Sequence, residues 1–154
     1  MIKILFICHG NICRSTMAQF VMEYMVEQEG LSEHFYIDSA ATSREEIGNG
    51  PHPGTVRKMR EMGIPMRSHR AVQLRRDDYD KYDYLIGMDR WNERNILGII
   101  GSDPQGKVSS LLDYTPRKGQ EIADPWYTGN FDETYRDVDE GCRGLLRYLK
   151  EHEL

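Results

Sequence analysis

The residues with the clearest chemical potential lie in one short segment near the start of the chain, Cys8-His9-Gly10-Asn11-Ile12-Cys13-Arg14-Ser15. An apolar run from Ile2 to Ile7 precedes it and predicts a short buried strand, whereas the apolar spacing from Ser15 to about Gln28 predicts a helix. A loop between a strand and a helix N-terminus collects unpaired backbone N–H groups and the positive end of the helix dipole. The segment therefore has the setting of an anion-binding loop.

The side chains of this loop indicate nucleophilic chemistry on a phosphate. Cys8 would lie near the helix N-terminus, where the thiolate is favoured over the thiol. Arg14 carries a planar fork of N–H donors that suits two phosphate oxygens, and the Ser15 hydroxyl could hydrogen-bond the sulfur. Attack by sulfur on phosphorus would give a cysteinyl-phosphate intermediate. We also expect Gly10 to make room for the backbone to bend and Asn11 to adopt unusual loop dihedral angles.

Two simpler interpretations of these residues compete with this one. Cys8 could end a core strand, with Arg14 on a helix surface, as the usual burial of cysteine allows. Alternatively, Cys8, His9 and Cys13 could bind zinc, but the gap between the cysteines is at the wide end of zinc-site spacing and the sequence has no second ligand pair. We therefore predict neither a metal nor a cofactor.

The pattern Cys8-x-x-Asn11-x-Cys13-Arg14-Ser15 resembles that of the low-molecular-weight protein tyrosine phosphatases, and the resemblance extends over essentially all of residues 1–154. It implies hydrolysis of protein phosphotyrosine through a phosphorylated Cys8. Substrates would be phosphotyrosine-containing proteins or peptides, with inorganic phosphate as product or inhibitor. The implied phosphate-binding residues are those of the loop: His9, Gly10, Asn11, Ile12, Cys13, Arg14 and Ser15.

The resemblance also implies a set of side chains that supports Asn11. In the family a serine braces the loop asparagine, and the matching residue is Ser39, at the end of a predicted strand. The run Ser68-His69-x-Ala71 matches a pattern in which the histidine bonds to the same asparagine. Judged on the residues alone, Ser39 is a small residue at a strand end and His69 is a surface residue among arginines.

A general acid is needed for the leaving group, and two Asp-Pro pairs compete for this role. Asp103-Pro104 lies in a segment with the composition of a turn, which accounts for it fully. Asp124-Pro125 is followed by aromatic residues, as is an Asp-Pro pair in the family. The resemblance therefore implies that Asp124 is the acid.

The family builds the walls of its substrate crevice from two segments. One matches the loop Thr42–Gly54, where an aromatic residue is usual and Glu45 occupies the position here. The other follows the acid, where Trp126 and Tyr127 could flank a phenyl ring. A carboxylate beside an incoming dianion is unfavourable and cannot stack on a ring, which leaves the substrate preference open.

Three rival functions follow from the same residues. Related arsenate reductases relay oxidation through a downstream cysteine pair, but only Cys142 lies downstream here. Protein arginine phosphatases typically have threonine before the second loop cysteine, whereas this chain has Ile12, which favours phosphotyrosine. A phosphate-binding module without catalysis is disfavoured by the complete set of Cys8, Arg14 and Asp124.

Cys13 has two open interpretations. It is close enough in sequence to form a disulfide with Cys8 and so protect the nucleophile from overoxidation. It could equally be a buried thiol packed beneath the loop.

Alternating strand and helix patterns predict an α/β fold, with a parallel sheet of about four strands and helices on both faces. The active site of such a sheet lies at the carboxyl ends of its strands, where the Cys8 loop is. The further predicted strands are Phe35–Ala41, Tyr82–Asp89 and Val108–Leu112, and the further helices are Thr55–Met62, Asp77–Lys81, Arg90–Ile100 and Asp132–Glu151.

Several side chains have predicted structural roles in these helices. Val56, Met59 and Met62 are expected to point inward, and Asp89 is expected to cap the helix that follows it. In the last helix Cys142 falls on the apolar stripe and reads as core packing. Its two glycines, Gly141 and Gly144, suggest close packing on the sheet.

The composition bounds the remaining possibilities. The 154 residues suit a single domain, and the net charge of −5 argues against nucleic acid or anionic membrane as a partner. No apolar run approaches the length of a membrane span, and the start of the chain does not have the pattern of a signal peptide. Three cysteines argue for a reducing compartment, so we expect a cytoplasmic location.

Overall fold

Four parallel strands form the central sheet of the computed structural model, which describes residues 1–154. The order across the sheet is β2-β1-β3-β4, and all three pairings are parallel. This confirms the predicted α/β fold with a single parallel sheet of four strands. The strands are β1 (Ile2–Cys8), β2 (Phe35–Ala41), β3 (Tyr84–Gly87) and β4 (Val108–Ser110).

Six α-helices connect and cover these strands, and short 3₁₀ turns at Ser32–His34 and Leu111–Tyr114 complete the regular structure. The helices are α1 (Arg14–Gln28), α2 (Pro53–Glu61), α3 (Asp78–Lys81), α4 (Arg90–Ile100), α5 (Pro125–Thr128) and α6 (Phe131–His152). None of them is both long and apolar enough to cross a lipid bilayer.

Helices cover both faces of the sheet, as predicted. Successive strand residues point to opposite faces, and Ile4 and Phe6 of β1 accordingly join the larger core, which α1, α2 and α6 complete. Leu5 and Ile7 join a second core on the other face, where Ile96 of α4 packs. Covering on both faces explains why the central strands are apolar almost throughout.

β3 and β4 end earlier than predicted because the following residues cap helical segments. Asp89 accepts a hydrogen bond from the backbone N–H of Asn92 at 2.8 Å and is the N-cap of α4, which confirms its predicted role. Ser110 begins a capping box with Asp113, so Leu111 and Leu112 belong to a 3₁₀ turn rather than to the predicted fourth strand.

α2 begins two residues before the predicted start and buries fewer side chains than expected. Met59 is fully buried, Val56 is half-buried, and Met62 is 43% exposed, so the inward orientation predicted for Met62 is wrong. The helix ends at Glu61 and Met62 is its C-cap, followed by Gly63 at a φ of 69°. Met62 therefore lies where the chain turns away from the core.

Two glycines of α6 pack closely, but against the turn that follows β4 and not against the sheet as predicted. A Cβ atom at Gly141 would lie 2.5 Å from Cγ of Leu111, and one at Gly144 would lie 2.2 Å from the carbonyl oxygen of Tyr114. Both distances are below 3.0 Å, which real Cβ atoms essentially never show. Glycine is therefore required where α6 crosses this turn.

The sheet order fixes where a site can form. β1 is central, with β2 on one side and β3 on the other. In an open parallel sheet, neighbouring connections diverge at such a strand and leave a crevice beyond its carboxyl end. The segment that follows β1 is the loop from Cys8 to Ser15.

Candidate active site

The loop after β1, Cys8–Ser15, is called the phosphate loop below. None of the backbone N–H groups of residues 9–14 donates a hydrogen bond to another protein atom. Such a run of unpaired N–H groups beside the N-terminus of α1 forms a cradle for an anion. This is the setting expected from the sequence.

The backbone of the phosphate loop turns at Asn11 rather than at Gly10. Asn11 has a φ of 58° and is the only non-glycine residue with a positive φ. This agrees with the prediction that Asn11 adopts unusual dihedral angles in the loop. Gly10 does not have a positive φ, and a Cβ there would meet Cγ of Glu46 at an ordinary 3.5 Å. The expectation that a side chain at Gly10 would obstruct the loop is therefore wrong.

Hydrogen bonds to its side chain hold Asn11 in this conformation. Its Oδ1 accepts from Nε2 of His69 at 2.8 Å and from the backbone N–H of Val72 at 3.2 Å. Its Nδ2 donates to Oγ of Ser15 at 2.8 Å, and that oxygen lies 3.1 Å from Sγ of Cys8. The predicted contact between His69 and Asn11 is present, and a continuous chain of hydrogen bonds joins His69 to the sulfur.

Ser39 supports this network in a different way from the prediction. It does not bond to Asn11: its Oγ donates to Oε1 of Gln19 at 2.5 Å and lies 3.2 Å from Nε2 of His69. Burial lowers the pKa of His69, and the Asp38 carboxylate, 3.4 Å from Nδ1, opposes this shift without reversing it. Nε2 of His69 is the donor to Asn11 because an amide oxygen can only accept, and Ser39 reaches Asn11 only through His69.

The guanidinium of Arg14 is buried and held by groups distant in sequence. Its Nη1 donates to Oδ2 of Asp89 at 2.6 Å and to the carbonyl oxygen of Ile122 at 2.9 Å. Its Nη2 lies 3.5 Å from Oδ2 of Asp124, and its Nε has no partner. Burial opposes the charge, but the nearby Cys8 and Asp89 outweigh it and raise the pKa of Arg14. The Nε and Nη2 edge is thus the one left for an anion.

Asp124 lies beside the loop as the N-cap of α5. Its Oδ1 accepts from the backbone N–H of Trp126 at 3.0 Å, and its side chain is 22% exposed. The competing Asp103 is remote from this site, because its carboxylate accepts from Tyr79 Oη and from the backbone N–H groups of Lys107 and Val108. Asp103 therefore stabilises the turn before β4, which agrees with the turn predicted from the composition of this segment.

The mouth of the site is a pocket of about 290 Å³ with one charged and one aromatic wall. On the charged wall, Oε2 of Glu45 lies 2.6 Å from Nε2 of His9 in the phosphate loop. On the opposite wall, Trp126 is 58% and Tyr127 is 82% exposed. All three predicted wall residues line the pocket, with the phosphate loop as its floor.

A larger groove, about 600 Å³, runs between α1 and α6 and contains neither a cysteine nor loop amides. No three His, Cys, Asp or Glu side chains converge closely enough anywhere to hold a metal ion.

The other two cysteines are buried thiols. Burial raises the pKa of Cys13 to about 12, and the nearby Cys8 and Asp124 add to this shift. Cys13 is not bonded to Cys8, and its carbonyl oxygen accepts from the hydroxyl of Thr16 at 3.1 Å. Burial also raises the pKa of Cys142, which lies fully buried in the larger core as predicted.

Sequence reasoning missed several residues that hold the site. Asp89 was predicted only as a helix cap, although it also fixes Arg14. His52 and Phe131 pack behind Trp126, and Gln19 anchors Ser39. Of these residues, only Phe131 had a signal in the sequence, because it is an aromatic residue close in sequence to the predicted wall.

The strand, loop and buried arginine define a class of proteins in which a cysteine is held in an anion cradle at the carboxyl edge of a parallel sheet. Residues 3–154 match the family model for low molecular weight phosphotyrosine protein phosphatases. The chain therefore belongs to this family.

Two relatives and two solved structures illustrate the similarity. The chain is 36% identical over 152 residues to the low molecular weight protein-tyrosine-phosphatase YfkJ of Bacillus subtilis, covering 98% of this chain and 97% of YfkJ. It is 37% identical over 148 residues to the human low molecular weight phosphotyrosine protein phosphatase, covering 94% and 93%. The YfkJ crystal structure superposes with a TM-score of 0.96, covering 100% of this chain and 98% of YfkJ. An arginine phosphatase from Drosophila superposes with a TM-score of 0.89 at 26% identity, covering 99% and 100%.

Proposed function

We propose that this chain is a cysteine-dependent protein tyrosine phosphatase. The observation that carries the proposal is the pairing of Cys8 with a cradle of unpaired N–H groups and with the free edge of Arg14. These donors match the three oxygens of a phosphoryl group, and they stabilise the charge that its transfer spreads over those oxygens. His9, Gly10, Ile12 and Cys13 contribute to this binding through backbone N–H groups.

The reaction has two steps. In the first, Cys8 attacks as a thiolate, so that a sulfur–phosphorus bond forms while the phosphorus–oxygen bond to the leaving group breaks. Asp124 gives its proton to the departing oxygen. In the second, Asp124 takes a proton from a water molecule that attacks phosphorus, the sulfur–phosphorus bond breaks, and inorganic phosphate leaves. Ser15 stabilises the thiolate released in this step by donating its hydroxyl hydrogen to the sulfur.

The proposed substrates are phosphotyrosine side chains of proteins or peptides. Trp126 would contact the phenyl ring from the aromatic wall, while Ile12 lines the floor of the pocket. A second candidate is phosphoarginine hydrolysis, favoured by Glu45 on the opposite wall, since a carboxylate suits a guanidinium better than a phenyl ring. The similarity to a Drosophila arginine phosphatase supports keeping this candidate.

The test is steady-state hydrolysis by the metal-free protein of matched phosphotyrosine and phosphoarginine peptides between pH 5 and 8. We expect phosphotyrosine to be preferred in kcat/KM. We expect Cys8→Ser to abolish turnover while inorganic phosphate still binds, because the cradle and Arg14 remain. A preference for phosphoarginine would be consistent with the proposed mechanism but would contradict phosphotyrosine as the substrate. Phosphate binding without hydrolysis of either peptide would favour arsenate reduction or a binding role.

We propose that Cys13 protects Cys8 during oxidation. After peroxide converts the Cys8 thiol to a sulfenic acid, the Cys13 sulfur would attack it, forming a disulfide and releasing water. The expected result is inactivation that dithiothreitol reverses in the wild type but not in Cys13→Ser. Because the pKa of Cys13 is about 12, the reversible fraction should grow as pH rises. Equal recovery in the two proteins would contradict the protective role.

We also propose a cytoplasmic location. The three cysteines are all free thiols, which suits a reducing compartment. Fractionation of cells that produce the protein, with detection by antibody, tests this proposal.

A further inference from the structure

Trp126 projects from a helix that gives it little support. α5 has only four residues, and Pro125 is the only one of them that is buried. The indole is 58% exposed, yet a wall residue must hold its position if it is to contact a substrate ring. The aromatic neighbour that lies against it is His52, whose ring centroid is 5.8 Å away with the ring planes at 84°. This edge-to-face arrangement is a favourable one for aromatic pairs.

The imidazole of His52 is itself fixed from two directions. Its Nδ1 accepts a hydrogen bond from the backbone N–H of Gly54 at 2.9 Å, which makes His52 the N-cap of α2. An accepting nitrogen carries no proton, so the neutral ring has its proton on Nε2. The ring also stacks on Phe131, with centroids 5.2 Å apart and planes at 26°.

The same group of residues is attached to the phosphate loop. The backbone N–H of His52 donates to the carbonyl oxygen of Ile12 at 2.8 Å. Phe131 packs against the small buried cluster formed by Ile12 and Cys13 of the loop with Ala71. The ring of Phe131 fits only because residue 54 is glycine, since a Cβ there would lie 2.3 Å from two of its ring carbons. A contact path therefore runs from the loop through Phe131 and His52 to Trp126.

We propose that His52 is a positioning residue for the substrate ring. It fixes the indole of Trp126 relative to the phosphate loop, so that an aryl phosphate meets a preformed wall when its phosphoryl group enters the cradle. His52 lies outside the pocket lining and has no part in the proton transfers. This inference rests on the proposed phosphatase function and adds a residue that sets its preference for aromatic substrates.

The test separates the ring of His52 from its capping nitrogen. His52→Asn keeps a side-chain acceptor suited to an N-cap but removes the ring. His52→Phe keeps a ring but removes the acceptor. We expect His52→Asn to raise KM for a phosphotyrosine peptide about two- to tenfold, the range of an aromatic pair. In His52→Asn we expect kcat and the inhibition constant of inorganic phosphate to stay within about twofold of the wild-type values. We expect His52→Phe, which keeps a ring, to have a KM close to that of the wild type.

Two further comparisons make the result decisive. KM for the double variant His52→Asn with Trp126→Ala should equal that for Trp126→Ala alone, because His52 acts through the indole. His34→Asn, which changes an exposed histidine of the 3₁₀ turn before β2, is the matched control and should leave KM unchanged. The proposal would be overturned if the two substitutions raised KM additively in the double variant. It would also be overturned if His52→Asn raised the inhibition constant of phosphate by the same factor as KM.

A fluorescence measurement tests the same contact without turnover. Trp91 is the only other tryptophan and is an exposed residue of α4, so a Trp91→Phe background isolates Trp126. His52→Asn should lower the emission anisotropy of Trp126, and an unchanged anisotropy would contradict the positioning role. If wild-type protein fails to hydrolyse phosphotyrosine, the proposed function fails, while this measurement still decides whether His52 fixes the indole.

Discussion

Arg14 is the residue at which the most distant parts of the chain meet. Its guanidinium contacts Asp89, Ile122 and Asp124, which follow it by 75 to 110 positions. The first two contacts use Nη1 and fix the plane of the guanidinium. The third is longer, at 3.5 Å, and involves the carboxylate proposed as the acid. An incoming phosphoryl group would take over Nη2 and so free Asp124 for its proton.

At the same scale, the role of Asp124 predicts a dependence on the leaving group. Asp124→Ala should lower kcat/KM about 10²- to 10³-fold for phenyl phosphate, whose leaving oxygen needs a proton, and by less than about tenfold for p-nitrophenyl phosphate. The measurement is kcat/KM for the two substrates at one pH, because this quantity reports the first step alone, whereas kcat also includes the hydrolysis of the cysteinyl-phosphate. Asp103→Ala is the control, since its carboxylate serves a turn and should leave the ratio unchanged. Equal losses on both substrates would remove Asp124 as the acid.

At the scale of elements, the crossing of α6 over the turn after β4 depends on glycine. Gly144→Ala would place a methyl group 2.2 Å from the Tyr114 carbonyl oxygen, and the backbone there cannot move aside as a flexible side chain could. We expect the free energy of unfolding to fall by about 2–3 kcal/mol. Urea denaturation followed by circular dichroism measures this change.

Gly98 provides the opposite case within α4. A Cβ there would meet nothing within 4 Å, and the residue is exposed. Gly98→Ala should therefore raise the free energy of unfolding by about 0.5–1 kcal/mol, through helix propensity alone. If Gly144→Ala were as harmless as Gly98→Ala, the close approach of α6 to the turn would be wrong.

At the scale of the whole molecule, local patterns in the sequence could predict the fold and the centre of the site. The strand, loop and helix around Cys8 are contiguous, so their residue types sufficed to predict the anion cradle. The contacts of Arg14 with Asp89 and Ile122 depend on how β3 and a distant loop approach β1, and no local pattern encodes that approach. Ser39 illustrates the same limit. Its position at a strand end was predicted correctly, but its predicted hydrogen-bond partner, Asn11, was wrong.

The unused donors around Arg14 have a consequence for the stability of the protein. The backbone N–H groups of residues 9–14 and Nε of Arg14 lack protein acceptors, and Nε is a buried donor, for which a missing partner costs about 1–3 kcal/mol. An anion that satisfies them binds only the folded chain, so it shifts the unfolding equilibrium by mass action. Inorganic phosphate at ten times its dissociation constant should add about 1.4 kcal/mol.

Thermal unfolding in phosphate, against potassium chloride of equal ionic strength, measures this effect. A rise in Tm of about 3–6 °C is expected for a chain of this size, and Arg14→Ala should remove most of it. An unchanged Tm in the presence of phosphate would mean that these donors do not bind a common anion. With such a linkage, inorganic phosphate is at once product, competitive inhibitor and stabilising ligand, and its concentration sets both the rate of the protein and its resistance to heat.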